Sequence, residues 1–240
     1  KNTMIKLSQR LQAIADLVPA GAKVADIGTD HGFLPCYLAQ SGKAELVIAC
    51  DVNAQPLALA QKNITDYNVG DKVSTRLGNG LAVLKPGEVD TVTIAGMGGA
   101  LMIDILDASP MVVDRLKRIV LQPNVGAEAV RIWAEKNRWQ IVAEDLIREN
   151  DIFSVIIVLE QGRSDRFMSA VELYLGPKLL AEHHPMLGLY ISEEWEKTQH
   201  ILEQLAKSDS EESRKKEKQL RQKWEDINGV IKCKLGVTLS

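Results

Sequence analysis

The chain has 240 residues, of which 45% are hydrophobic and 25% charged, and this composition is typical of a globular protein with one main domain and a smaller second part. Its net charge of −3 at pH 7 excludes a basic field over the whole fold, although local basic patches can still bind phosphates. No apolar run reaches the roughly 18 residues of a membrane span, and the cysteines lack metal-ligand spacing. We expect a reduced, cytoplasmic protein without a membrane segment or a metal.

The first two thirds of the chain predict an α/β domain. An N-terminal helix is indicated by one apolar stripe, formed by Leu7, Leu11, Ile14 and Val18. Strands are predicted at Lys23–Ile27, Leu46–Asp51, Val73–Leu77, Val89–Ala95, Arg118–Gln122, Gln140–Leu146 and Phe153–Leu159. Helices are predicted between them at Phe33–Ser41, Pro56–Tyr67, Gly99–Asp107 and Ala127–Asn137, with a weaker pattern after Leu81.

Strands that alternate with helices favour a parallel sheet covered on both faces. The last two strands are separated by only about six residues, too few for a helical crossover, and should form an antiparallel hairpin at the sheet edge. Six parallel strands and an antiparallel last one predict a Rossmann-like, seven-stranded methyltransferase fold.

After Gly162 the pattern is helical. Two stripes, Ile191–Leu205 and Leu220–Ile231, carry apolar residues at alternating spacings of three and four and flank a polar turn at 208–213. They predict an antiparallel, coiled-coil-like hairpin, preceded by a connecting helix over Met168–Leu180. We therefore predict two domains, residues 1–162 and residues 163–240.

The loop after the first strand reads Asp26-Ile27-Gly28-Thr29-Asp30-His31-Gly32. Ligands of an open parallel sheet bind beyond the carboxyl ends of its strands. Gly28 and Gly32 allow the backbone to approach a ligand, and Asp26 is placed to hold a cationic group. Asp30 stands where a diphosphate fingerprint needs glycine, so the loop suits S-adenosylmethionine, which has no phosphate. A purely structural turn is the alternative.

Three further strand ends carry candidate ligand residues. Asp51, followed by Val52, stands where a ribose-binding acid is expected, with a helix cap from Asn53 onward as the alternative. Asn79 and Gly80 follow the third strand, where the Asn79 amide can meet an adenine edge or form a plain turn.

The fourth strand ends in Gly96-Met97-Gly98-Gly99, where exposed backbone and the Met97 thioether suit a flat base. The alternative is that these glycines only permit close packing of helix and strand. Gln122 and Asn124, after the fifth strand, are expected to border the same cleft.

Together, Asp26–Pro35, Ala95–Gly99, Leu121–Asn124 and the N-terminal Leu7–Leu11 resemble the bacterial TrmK family. The resemblance covers about Lys6 to Gly162, and the C-terminal hairpin looks like the family's coiled-coil-type extension. It implies S-adenosylmethionine-dependent methylation of N1 of adenine 22 in tRNA. It also implies cofactor contacts at Asp26, Gly28, Asp51, Asn79, Gly80 and Gly96, and an active-site position for Asp30.

The aromatic motif that adenine-N6 methyltransferases carry after strand four is missing here, which argues against N6 chemistry and leaves Met97 and Phe33 as candidates to stack the base. Methylation at N1 creates a cationic base, which Asp30 would stabilise or deprotonate at N6, with His31 as the second candidate. The alternatives are that Asp30 caps a turn and that His31 orders the loop.

Candidate tRNA phosphate anchors are the basic residues Lys6, Arg10, Arg214, Lys215, Lys216, Lys218, Arg221 and Lys223. A solvated helix face is the alternative for the C-terminal group. Other functions stay open: methylation of another substrate with the hairpin as a dimerisation device, and a noncatalytic S-adenosylmethionine- or nucleotide-binding module. An NAD-dependent dehydrogenase is disfavoured by the lack of GxGxxG. The oligomeric state is undecided, with a monomer favoured.

Overall fold

The computed structural model describes residues 3–239, which divide into two compact units between Asp165 and Arg166. The first unit contains the whole sheet, and the second consists of helices. The sequence pattern placed this change at Gly162, within the same connecting segment.

The first unit is built on seven strands, β1 (Ala22–Ile27), β2 (Ala44–Asp51), β3 (Val73–Leu77), β4 (Thr91–Met97), β5 (Arg118–Pro123), β6 (Trp139–Glu149) and β7 (Ile152–Gln161). Their order across the sheet is β3-β2-β1-β4-β5-β7-β6. β7 is antiparallel to both of its neighbours, β5 and β6, whereas β1 to β5 pair in parallel. The predicted layout is therefore present, with β6 as the edge strand and β7 inserted beside β5.

Six helices accompany the sheet: α1 (Gln9–Asp16), α2 (Phe33–Gln40), α3 (Ala54–Asp66), α4 (Gly99–Asp107), α5 (Pro110–Val113) and α6 (Ala127–Lys136). The Ser8 hydroxyl caps α1 by accepting a hydrogen bond from the Leu11 amide. The weak pattern after Leu81 corresponds to a 3-10 turn at Gly80–Val83. The four residues of α5 were not predicted, because they are too few to show a helical period.

The central strands β1, β4 and β5 are mostly buried on both faces, as helices on either side of a parallel sheet require, whereas the edge strands β3 and β6 are partly exposed. Val24, Ala25 and Ile94 are completely shielded from solvent. Asp26 and Thr93 are the polar exceptions near the carboxyl ends of β1 and β4, and β-sheet register places them opposite each other. Two buried polar side chains at such a position need mutual hydrogen bonds, which directs attention to this edge of the sheet.

The second unit consists of α7 (Ala170–Leu175), α8 (Pro177–Ala181), α9 (Leu187–Ala206) and α10 (Glu211–Leu235). A turn of only a few residues joins α9 to α10, and the rings of Trp195 and Trp224 lie 5.1 Å apart between them. These two helices form the predicted hairpin. Across the described residues, none of the helices has both the length and the apolar character needed to span a bilayer.

The single helix predicted over Met168–Leu180 is wrong. The chain breaks at Gly176, whose φ of 104° cannot continue a helix, and Pro177 then starts α8. Proline is accepted in a first helical turn but lacks the N–H that a continuous helix would need at this point.

A buried ion pair in the first unit generates a stability prediction. Arg131 of α6 donates from Nε to Oε2 of Glu144 on β6 at 2.8 Å, with side-chain exposures of 1% and 0%. Replacement of Glu144 by Ala leaves a buried guanidinium without this partner, and should lower the free energy of unfolding by about 3–5 kcal/mol. The partly exposed pair Arg221–Glu217 provides the control, because Glu217→Ala should cost less than about 0.5 kcal/mol. Urea unfolding followed by circular dichroism measures both, and equal losses would contradict the prediction.

Candidate active site

A cavity of about 310 Å³ opens at the carboxyl ends of β1 and β4. Its walls are formed by loop residues and by one face of α1. The lining residues are Arg10, Leu11, Asp26, Gly28, Thr29, Asp30, His31, Phe33, Leu34, Ala95, Gly96 and Met97. The loop after β1 and the last residues of β4, which the sequence singled out separately, therefore face one shared space.

Asp26 forms the polar floor of this cavity. Its Oδ1 accepts a hydrogen bond from the Thr93 hydroxyl at 2.7 Å, and its Oδ2 accepts one from the Thr29 hydroxyl at 2.8 Å. Burial raises the pKa of Asp26 to about 6, although the two hydroxyls and the positive charge of Arg10 act in the opposite direction. A desolvated carboxylate of this kind favours a cationic group of a ligand.

The loop after β1 is held against β2 by its backbone. The amides of Gly28 and Thr29 both donate to the carbonyl oxygen of Cys50, each at 2.9 Å. Gly28 has φ +73°, and a Cβ atom there would collide with the methyl group of Met97. Glycine at this position lets Met97 reach over the loop and line the cavity.

Asp30 and His31 form an exposed pair at the opening. Asp30 adopts the left-handed conformation with φ 55°, which is costly for a residue other than glycine. Its Oδ2 lies 3.2 Å from Nδ1 of His31, and the two side chains are 72% and 47% exposed. The His31 ring is 5.8 Å from the ring of Phe33. A carboxylate, an imidazole and an aromatic face are thus available to a molecule that enters from solvent.

Asp51 connects the loops after β1 and β2. Its Oδ2 accepts a hydrogen bond from the Asp30 amide at 3.3 Å, and its Oδ1 accepts one from the Asn53 amide at 2.9 Å. The contact with Asn53 is a local turn and not the helix cap that was the alternative, because Asn53 is the N-cap residue of α3 and that helix has no side-chain cap hydrogen bond. Because each carboxylate oxygen has two lone pairs, these bonds leave acceptor capacity for a ligand hydroxyl.

Arg10 belongs to the cavity wall, although the sequence suggested it as a phosphate anchor. Its Nη1 donates to Oε1 of Gln122 at 2.8 Å, and the Gly96 amide donates to the same oxygen at 3.1 Å. Gln122 is only 1% exposed, and its Nε2 donates to Oδ1 of Asn124. The amide of Gln122 is therefore engaged by protein groups and orients Arg10 and Gly96, rather than bordering the cleft directly.

The loops after β4 and β5 are joined by two backbone hydrogen bonds of 2.8 Å, from Asn124 to the Met97 carbonyl and from Gly99 to the Val125 carbonyl. A Cβ atom at position 99 would collide with the carbonyl oxygen of Gly126. Gly99 is therefore explained by close packing, which was the structural alternative for this loop. Gly98 precedes α4 as its N-cap residue.

Several predicted ligand residues lie outside the cavity lining. Val52 is 62% exposed at the end of β2, and Asn79 is exposed after β3. Gly80 adopts φ +54° beside Ile105, and the neighbouring Gly78 amide donates to the Asp51 carbonyl oxygen at 2.9 Å. These residues lie at the same edge of the sheet as the cavity, beside the carboxyl ends of β2 and β3.

Lys6 lines a different groove, which it shares with Gln12, Asp16 and Asp145. Lys6 and Arg10 were both predicted as phosphate anchors on the N-terminal helix, but Lys6 lies before α1 and the two residues line different cavities.

Thr93, Leu11 and Leu34 were not identified from the sequence. Thr93 is fully buried and supplies one of the two hydroxyls on Asp26. In the sequence, Thr93 is a polar residue inside the apolar run of β4. Its role could be recognised only after the pairing of β1 with β4 was known.

The environment of Asp26 generates a prediction for the ligand-free protein. The pKa of its carboxyl rises from the ordinary aspartate value of 3.8 to about 6 on folding, so the folded state binds the extra proton between these values, and the contribution of this carboxyl to stability falls as pH rises from 4 to 6. Asp26→Asn, in which Oδ1 accepts from one threonine hydroxyl and Nδ2 donates to the other, should remove this contribution and raise the unfolding free energy at pH 7 by on the order of 2–3 kcal/mol. Thermal or urea unfolding at pH 4 and pH 7 measures the effect. An unchanged slope, or a loss of stability at pH 7, would contradict it.

Comparison with known proteins places this arrangement in a family. A family model described as tRNA (adenine(22)-N(1))-methyltransferase, TrmK, matches residues 24–229. The chain is 36% identical over 232 residues to the tRNA (adenine(22)-N(1))-methyltransferase of Bacillus subtilis, covering 95% of this chain and 98% of that protein.

Solved structures agree with this relation. The crystal structure of the B. subtilis M1A22 tRNA methyltransferase TrmK superposes with a TM-score of 0.86 at 35% identity, covering 95% of this chain and 99% of that one. A Streptococcus pneumoniae putative tRNA (m1A22) methyltransferase, in complex with S-adenosyl-L-methionine, gives 0.84 at 33% identity, with coverage of 94% and 100%. M. capricolum TrmK, in complex with S-adenosyl-homocysteine, gives 0.80 at 28%, with coverage of 94% and 99%. The chain therefore belongs to the TrmK family of tRNA (adenine(22)-N(1))-methyltransferases.

Proposed function

We propose that this chain uses S-adenosylmethionine to methylate N1 of adenine 22 in tRNA. The observation that carries the proposal is the single cavity that gathers Asp26, Gly28, Asp30 and Gly96 in a member of this family. The relatives supply the class of reaction, and the residues of the cavity supply a physical reason for each part of it.

The cavity suits a phosphate-free, cationic cofactor. Asp26 and Asp30 line it, and Asp51 lies directly behind the Asp30 amide. These carboxylates disfavour a diphosphate, whereas Asp26 pairs with an ammonium group and Arg10 with a carboxylate. Asp51, Val52, Asn79 and Gly80 then face the ribose and the adenine, and Thr29, Gly96 and Met97 contact the central part. When bound, S-adenosylmethionine supplies a methyl group activated by a sulfonium.

Adenine N1 carries an in-plane lone pair, so the protein mainly has to align the base and exclude competing water. Transfer of the methyl group leaves a positive charge on the base. The exposed Asp30 carboxylate stabilises that charge or accepts a proton from N6, and His31, at 3.2 Å, orients the carboxylate or takes part in proton transfer. Phe33 and Met97 provide the apolar surfaces against which the base lies, and the Gly98 backbone and Asn124 border the same entrance.

Recognition of tRNA extends beyond one base. The basic group Arg214, Lys215, Lys216, Lys218, Arg221 and Lys223 occupies α10. Lys216 and Arg221 form ion pairs with Glu212 and Glu217, and Lys223 lies 3.5 Å above the Tyr174 ring. Exposed ion pairs of this kind cost little to open, so the group remains available to phosphates. Lys6 offers a further cation on the first unit. We expect this activity in the cytoplasm.

Incubation of the purified protein with unmodified bacterial tRNA and labelled S-adenosylmethionine tests the proposal. We expect N1-methyladenosine at position 22 after nucleoside mapping, and no product when adenine 22 is replaced by guanosine. Cofactor binding without transfer to tRNA would support the noncatalytic alternative, and transfer only to small acceptors or proteins would support a different methyltransferase.

Asp30 should act on turnover more than on cofactor binding. Asparagine tolerates the left-handed conformation, so Asp30→Asn keeps the loop while removing the negative charge. We expect kcat to fall about 10²- to 10³-fold, in the range of general acid–base or electrostatic contributions. The affinity for S-adenosylmethionine, measured by calorimetry, should change less than about threefold, because an exposed charge near a ligand contributes little to binding.

Asp151→Asn is the matched control, because Asp151 also has positive φ and its side chain is 95% exposed, but it lies in the turn between β6 and β7. This variant should keep full turnover. Equal losses of turnover and cofactor affinity in Asp30→Asn would make Asp30 a cofactor residue, and unchanged turnover would remove it from the mechanism.

A further inference from the structure

Val125 is an apolar side chain presented to solvent by a rigid loop. It is 72% exposed, in the short segment Asn124–Gly126 between β5 and α6. The Asn124 amide donates to the Met97 carbonyl oxygen, and the Val125 carbonyl oxygen accepts a hydrogen bond from the Gly99 amide, at 2.8 Å each. The backbone of Val125 is thus fixed on both sides while its side chain remains uncovered.

This side chain lies beside the entrance of the cavity. A Cβ atom added to Gly98 would contact Cγ2 of Val125 at 3.6 Å, and the residue before Gly98 is Met97, which lines the cavity. Because positions 96 and 98 are both glycine, no side chain from these two positions covers that flank of Val125. Val125 is therefore an uncovered apolar group next to Gly98, the residue that follows Met97 of the cavity lining.

Other exposed apolar side chains lie along the same edge of the sheet. Phe33 after β1 is 39% exposed, and Ile152 at the start of β7 is 68% exposed. Since β7 is antiparallel to β5, its first residue lies at the edge where β5 ends. Val52 and Leu77 belong to the β2 and β3 ends, on the side assigned above to the cofactor. Val125 lies at the end of β5, on the side to which no cofactor contact is assigned, and its side chain stays exposed there.

The chemistry of the proposed reaction requires a group of this kind. N1 belongs to the pairing edge of adenine, so a paired target must leave the base stack before N1 can be methylated. Proteins that open a stack commonly insert an apolar side chain into the gap, where it replaces part of the lost stacking. A β-branched side chain on a fixed backbone loses little conformational freedom when it inserts.

We propose that Val125 inserts into the tRNA base stack at the place vacated by the target adenine, and so holds the extruded base in the cavity. The inference rests on the proposed function and adds a positioning residue for the RNA substrate. It assigns Val125 no contact with the cofactor and no part in the transfer of the methyl group.

Steady-state methylation of two tRNAs tests this inference. In one the target adenine is base-paired, and in the other a changed opposite nucleotide leaves it unpaired. Loss of the inserted side chain exposes the cost of unstacking, so Val125→Ala and the isosteric but polar Val125→Thr should lower kcat/KM on the paired tRNA roughly tenfold. On the unpaired tRNA the loss should shrink to less than about twofold, because less work is needed to extrude the base.

Three controls separate this role from a structural one. Val125→Ile should keep full activity, because it retains an apolar β-branched group. Met111→Ala should also keep it, since Met111 is 73% exposed but lies in α5, before β5 begins at the opposite edge of the sheet. Calorimetry should give the same affinity for S-adenosylmethionine in every variant.

Equal losses on both tRNAs, or no loss on the paired one, would overturn the role of Val125 while leaving the proposed function intact. No methylation of either tRNA by the unaltered protein would overturn the proposed function, and the inference with it.

Discussion

The buried carboxylate of Asp26 is the interaction on which the site depends. The hydroxyl groups of Thr93 in β4 and of Thr29 in the loop after β1 each donate a hydrogen bond to it. One side chain therefore connects the ends of two adjacent strands. The bonds offset only part of the burial cost, as a pKa of about 6 indicates. The proposed binding of a cation at Asp26 would relieve the remaining penalty. The destabilisation of the free state would then become specificity for a positively charged ligand.

Glycine occupies the positions around this carboxylate for different physical reasons. Gly28 is favoured because its backbone has positive φ, and the terminal methyl group of the flexible Met97 side chain uses the space that a Cβ atom would fill. Gly99 is required because Gly126 approaches from the neighbouring loop. Gly96 also has positive φ, but a Cβ atom added there would come no closer than 3.9 Å to the Arg10 guanidinium, so the space beside it is open and Gly96 lines the cavity. Ligand access and close packing therefore both operate in the loop after β4, each at a separate residue.

The sequence predicted the strands and the edge at which the loops meet, because apolar runs between turn signals identify strands and parallel strands end at one edge. It did not predict the neighbours of Asp26. Arg10 and Gln122 are 112 residues apart in the chain, and their hydrogen bond depends on how α1 packs against the end of β5. Thr93 acquires its role only from the register of β4 with β1. Local patterns also joined α7 to α8, where a single Gly-Pro step separates them. Long-range packing decided the neighbours of Asp26 and Arg10, whereas the break between α7 and α8 is a local effect of Gly176 and Pro177.

The charges of the cavity also discriminate among nucleotide-derived ligands. A dinucleotide would bring a diphosphate to the loop after β1, where Asp30 replaces the glycine of the usual fingerprint and Asp26 lies below. Arg10 is the cation in the cavity lining, and it is already hydrogen-bonded to the buried Gln122. A sulfonium cofactor brings no phosphate to these carboxylates, and its own carboxylate can bind guanidinium N–H groups of Arg10 other than the one that donates to Gln122. The negative charges of the loop after β1 therefore favour a methyl donor over a hydride carrier.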